Sequence, residues 1–121
     1  MFTADQIVAH LVGDYLLQSH WMASEKTKRH LAAALHALTY TLPFLLITQS
    51  PLAIAFILVS HFLIDRYRLA RYVVWFKNGA RGPVTATGYP EDTPAWLSVW
   101  LLIIADNTLH LICNAIAIAW L

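Results

Sequence analysis

Four stretches of the chain are dominated by apolar residues, and short polar segments separate them. The first covers residues 3–22, and its polar positions 10, 14 and 18 recur every four residues, which draws one polar stripe on a helix. Thr3 is placed to cap this helix, with Gln6 three residues on completing a capping box. Residues 24–30 (SEKTKRH) form a charged connector. The second helix is expected over residues 31–48, bent near Pro43. Gln49, Ser50 and Pro51 make a tight turn, and Pro51 suits the first turn of a third helix over residues 51–76. Residues 77–93 hold three of the four glycines and two of the five prolines, and so form a loop. A fourth helix follows over residues 94–121, with Thr93 as its N-cap and Pro94 in its first turn.

Composition turns this pattern into a fold class. Hydrophobic residues make up 59% of the 121 and charged residues only 12%, about half the charged fraction of a soluble domain. The expectation is an all-α integral membrane four-helix bundle, a single transmembrane domain over residues 1–121. The first apolar stretch carries Asp5, His10 and Asp14, which a signal-peptide core would lack, so the N-terminus is expected to be retained. All eight Lys and Arg lie in the connector, at the end of the third helix or in the 77–93 loop. With four spans these places share one side, and the positive-inside rule makes it cytoplasmic. The expected protein is multi-pass in the inner membrane, with both termini outside. Trp96 and Trp100 suit the membrane interface, as do His20 and His30. The lone Cys113 reads as a packed core thiol.

Charge inside the apolar helices changes the picture again. Three pairs stand four residues apart: His10 and Asp14, His61 and Asp65, Asp106 and His110. The first two helices with pairs run inward and read His then Asp, whereas the last runs outward and reads Asp then His. In an antiparallel bundle this reversal puts the acids in one layer and the imidazoles one turn deeper. The acid layer falls roughly 9–16 Å into the membrane, counted from the cytoplasmic helix ends. His36 comes to a similar depth, so every helix contributes. Three unpaired carboxylates at helix centres would cost on the order of 8–10 kcal/mol, so they must pair, protonate or bind cations.

Neutral imidazole and carboxylate are ligands that Zn, Mn and Fe accept. His10, Asp14, His36, His61, Asp65, Asp106 and His110 are the candidate ligands. They are too many for one tetrahedral ion. They suit two ions with a bridging carboxylate, or one ion with a shell of supporting hydrogen bonds. Asp14, Asp65 and Asp106 are the candidate catalytic acids, one of them free to act as general base. Two other readings stay open: a metal-free Asp–His network that fastens the helices, and a proton or ion relay. Gln18 and Asn114 extend the polar stripes, and Tyr40 lies one turn from His36. Arg66, Arg68 and Arg71 read either as a phosphate clamp or as anchors against anionic lipid.

The stretches HLVGDYLLQ (10–18), HFLIDRYRLARY (61–72) and ADNTLH (105–110) resemble a small inner-membrane family of bacteria and their phages known as domain of unknown function 3307. The resemblance spans almost the whole chain, with three separated motifs in order. It implies a membrane fold and a role for the paired residues, and supplies no substrate. More loosely, the chain is similar to inner-membrane proteins described as metal-dependent hydrolases, which implies hydrolysis. The leading expectation is therefore a membrane hydrolase using one or two divalent ions on a lipidic or lipid-linked substrate. It has membrane lipid as its partner, no nucleic acid, and room for a homo-oligomer. The alternatives are a non-enzymatic accessory protein of a phage or bacterium acting through the 77–93 loop, and an ion or metal transport component.

Overall fold

The computed structural model describes residues 2–121, and among them every regular element is helical. Helix α1 (Ala4–Leu11) runs into a π-helical turn (Val12–Leu16). A short α2 (His20–Glu25) follows. Helix α3 (His30–Thr41) tightens into a 3₁₀ turn (Leu42–Leu46). Helices α4 (Pro51–Tyr67), α5 (Leu69–Lys77) and α6 (Ala95–Trp120) complete the chain. The π turn of α1 touches α3, α3 packs on α4, α4 on α6, and α6 returns to α1, so four segments close a ring.

Local chemistry explains where the helices break. The expected helix over residues 3–22 is two helices. At Gly13 a Cβ would stand 2.5 Å from Tyr40 Cδ2 and 3.0 Å from the Tyr40 carbonyl. The absent side chain lets the π turn press against α3. Ser19 then caps α2, accepting a hydrogen bond from the Met22 amide at 3.2 Å. Thr3 is the N-cap residue of α1, but its hydroxyl donates to Asp5 and caps no amide, and Gln6 is buried. The expected capping box is thus replaced by a Thr–Asp contact.

Pro43 ends the α-helical hydrogen bonding of α3 as its missing N–H requires, and a 3₁₀ turn continues the segment. The expected helix over residues 51–76 is also two. Arg68 takes a left-handed conformation (φ 52°) and separates α4 from α5. Such a conformation is strained for a non-glycine residue. A hydrogen bond from Arg68 Nη2 to the Ala86 carbonyl (2.7 Å) holds the side chain beside it. At the start of α6 the N-cap position falls on Pro94 and not on Thr93, with no side-chain cap bond.

The interior is unusual in its polarity. Ala9, Ala32, Ala33, Ala37, Ala53, Ala70, Ala115 and Ala117 are buried where segments meet, and small residues let helices approach closely. Tyr40, Phe44 and Ile57 fill the remaining space with Ala9, Ala53 and Ala117. Ile64 and Val74 are buried as well, and beside them lies a large polar set: Gln6, His10, Asp14, His36, Thr41, His61, Asp65, Ser98, His110 and Asn114. The outside carries the large apolar side chains, with Leu46 91%, Leu16 76% and Trp96 70% exposed. Helix α6 is long and apolar enough to cross a membrane, about 39 Å at ~1.5 Å per residue. The apolar segment His30–Leu46 is shorter. Cys113 is half-buried on α6 and not sealed in the core as expected.

Candidate metal centre

Asp65, in the last full turn of α4, is the residue on which the site converges. Its Oδ2 lies 3.1 Å from His61 Nε2 on the same helix face, one turn earlier, and 3.1 Å from His36 Nε2 on α3. Its Oδ1 lies 3.1 Å from His110 Nε2 on α6. His110 Nε2 is in turn 3.3 Å from Asp106 Oδ2, one turn away on its own helix. From the π turn, Asp14 Oδ1 comes within 3.1 Å of His36 Nε2 and 3.4 Å of His61 Nε2. The π turn matters here, because it carries Asp14 inward at the point where Gly13 lies on Tyr40.

Two groups result: Asp14, His36, His61 and Asp65, all buried, and Asp65, Asp106 and His110. In each group the ligand atoms lie within 4.8 Å of one another, and Asp65 belongs to both. Carboxylate oxygens and imidazole nitrogens in this arrangement can hold a metal ion. The hydrogen bonding of the two central histidines tests the fit. His36 Nε2 and His61 Nε2 face each other at 2.9 Å, with carboxylate oxygens on both sides. The Nδ1 atoms of both rings are buried without a partner. A neutral imidazole carries one proton, and the two facing Nε2 atoms cannot both be protonated, so at least one ring turns a lone pair toward carboxylate oxygens. A cation among these atoms relieves that repulsion, with the ring protons then on the buried Nδ1 atoms. Against the three carboxylates one ammonium is in direct contact, and Arg68 and Arg71 line the same cavity without an ion pair.

That ammonium belongs to Lys26, which donates to Asp65 Oδ2 at 2.8 Å. Burial opposes its charge, but Asp65 and Asp14 outweigh this and hold its pKa above the ordinary lysine value. Lys26 reads in the sequence only as a connector charge, and no local signal marks it. Asn107, also missed, lies beside Asp106 in the sequence.

Six of the seven candidate ligands fall in these groups, and His10 belongs to neither, although its Nδ1 lies 3.6 Å from Asp14 Oδ2. Its Nε2 donates to Asn107 Oδ1 (2.7 Å), which can only accept, so its Nδ1 accepts from the Tyr40 hydroxyl (2.8 Å). The same hydroxyl accepts from Asn114 Nδ2 at 2.7 Å. Both nitrogens of His10 are thus engaged, and the chain Asn114–Tyr40–His10–Asn107 braces α1, α3 and α6. The Tyr40 ring also stacks on His61, with centroids 3.6 Å apart. The imidazoles of His36, His61 and His110 lie together, with His61 stacked on His110 at a centroid distance of 4.1 Å, and the acids reach them from one turn along the same helix and from neighbouring helices. Gln18 donates to the Asp14 carbonyl at 3.2 Å.

A cavity of about 260 Å³ opens onto the cluster. Asp14, Asp65 and Asp106 line it together with Lys26, Arg68 and Arg71. Asp106, with its side chain 32% exposed, is the most accessible acid of the cluster.

No curated protein and no solved structure matches the chain. A family model described as "Protein of unknown function (DUF3307)" matches residues 2–121, so the chain, with its helical fold and shared acid–imidazole centre, belongs to the DUF3307 family.

Proposed function

We propose that this protein is a metal-dependent hydrolase embedded in the inner membrane as a four-helix bundle, acting on a lipidic or lipid-linked substrate. The observation that carries this reading is the sharing of Asp65 between two ligand groups at the floor of an open cavity. The inverted arrangement, polar inside and apolar outside, supports the membrane setting. Contacts also agree with one cytoplasmic side for the basic segments. Arg66 Nη1 donates to the Thr27 carbonyl and Lys26 to Asp65, so the connector sits against the end of α4. At the opposite end Ser50 Oγ donates to the Leu121 carbonyl.

When bound, a divalent ion supplies Lewis-acid polarisation of the scissile group and makes water more acidic. Asp14, His36, His61, Asp65 and His110 would hold it. Asp106, with one side open to the cavity, is placed to take a proton from attacking water. His10, gripped by Tyr40 and Asn107, positions the helices and does not act as a ligand.

The test is metal content in detergent-purified protein. We expect one or two ions per chain in the wild type and at most about a tenth of that in Asp65→Asn, which removes the shared charge. Substoichiometric metal in the wild type, unchanged by Asp65→Asn, overturns the metal site. Incubation with a membrane lipid extract should then yield a metal-dependent product by mass spectrometry.

The Lys26–Asp65 ion pair favours a second reading. In it the cluster is complete without metal, neutralised by Lys26 and protonated histidine, and serves only to fasten the helices of an accessory protein. Wild-type protein that is metal-free and fully folded supports that reading against the first.

A further inference from the structure

Three cationic side chains share the cavity with the three acids, and two of them are not used by the protein's own carboxylates. Lys26 is paired with Asp65. The ion pairs among the described residues involve Lys26, Lys28, Arg29 and the cluster histidines, and include neither Arg68 nor Arg71. The Arg68 side chain has one hydrogen bond, to the Ala86 carbonyl. Arg71 Nη2 donates to the Tyr72 hydroxyl at 3.1 Å, and its Nε is buried with no partner. A guanidinium has five N–H donors, so both retain donors to offer. Arg66 differs, because it is bonded to His30 and the Thr27 carbonyl and serves as a strut.

Position strengthens the contrast. Arg68 and Arg71 border both the inner cavity and an outer recess walled by Tyr67, Leu69 and Tyr72. They form the partition between the acid–imidazole centre and the surface. The left-handed turn at Arg68 bends the chain between α4 and α5, so both arginines border the same space. A residue that merely anchors a helix against anionic lipid has no need to line an inner cavity or leave a buried N–H unpaired.

We infer that Arg68 and Arg71 are the seat for a phosphate group of the substrate, held at the rim of the acid–imidazole centre. Two guanidinium groups match the several oxygens of a phosphate. As a statement about substrate this rests on the hydrolase reading, and it narrows the chemistry there from ester or amide to a phosphoester. The phosphate belongs either to a lipid headgroup or to a free phosphate compound.

The experiment is calorimetric titration of the full chain, as purified, in neutral phosphatidylcholine nanodiscs. The probes are short-chain phosphatidic acid, inorganic phosphate and short-chain diacylglycerol. We expect phosphatidic acid to bind and diacylglycerol not to. Arg71→Gln should weaken binding about tenfold, the loss of a charged hydrogen-bond donor, and Arg68→Gln likewise. Arg81→Gln, an exposed loop charge, should bind as wild type. Inorganic phosphate binding comparably identifies a free phosphate as occupant, and phosphatidic acid binding alone identifies a headgroup. Binding that survives both variants, falls equally in Arg81→Gln, or is absent for both phosphates overturns the seat. Metal content of the same samples separates the two proposals. Metal without Arg71-dependent binding removes only the seat, and Arg71-dependent binding without metal removes only the hydrolase.

Discussion

Tyr40 joins two functions in one side chain. Its ring stacks on His61, and its hydroxyl links His10 to Asn114. Tyr40→Phe keeps the stack and deletes the link, leaving the His10 and Asn114 nitrogens buried and unpaired. The expected cost is about 1–3 kcal/mol of stability, read from thermal unfolding in detergent, with metal content unchanged. A drop in metal content equal to that of Asp65→Asn would instead make Tyr40 part of the ligand set. At this scale the sequence was informative where chemistry is expensive. A carboxylate within an apolar helix has to be explained, and the three that stand four residues from a histidine converge. Lys26 was opaque because a lysine in a polar connector is at home there, and only the fold carries it to Asp65. The exclusion of His10 was equally hidden, since its partners lie 30 and 97 residues away.

Among the elements, the π turn is the one on which placement of Asp14 depends. Gly13→Ala would put a methyl group against the Tyr40 ring and carbonyl. We expect a loss of about 1–3 kcal/mol from this overpacking, measured as a lower unfolding midpoint, with weaker metal retention because Asp14 shifts. Gly13→Ala with wild-type stability would mean that the π turn has slack. Apolar periodicity located every helix-forming stretch but not the interruptions. Residues 7–17 look helical whether or not the chain breaks at Ser19. Arg68 has no glycine or proline beside it to announce a left-handed turn. Pro43 was legible, because a missing N–H has the same consequence in any context.

For the whole molecule, the arrangement of basic residues and the inverted polarity make a topological claim. In a Cys113→Ala background, Gln49→Cys should react with a membrane-impermeant maleimide in intact bacteria. Glu91→Cys should react only after the cells are opened. Labelling of both sites in intact cells would reject the four-span arrangement with the 77–93 loop inside. The contacts that close α1, α3, α4 and α6 into a ring join the same four apolar stretches that the sequence marks, although the loop before α6 is long.

In the membrane setting proposed above, the i, i+4 pairs also bear on how such a chain would enter a bilayer. His61 with Asp65 and Asp106 with His110 remain 3.1 and 3.3 Å apart in the assembled structure, and His10 with Asp14 3.6 Å. Each acid-bearing helix thus brings its own partner for the acid. Were the helices to enter a bilayer one at a time, as the proposed setting requires, each carboxylate would already be shielded by the imidazole one turn away before any other helix is present. Assembly would then share these partners between helices, as Asp65 does, so that no bare acid need face lipid.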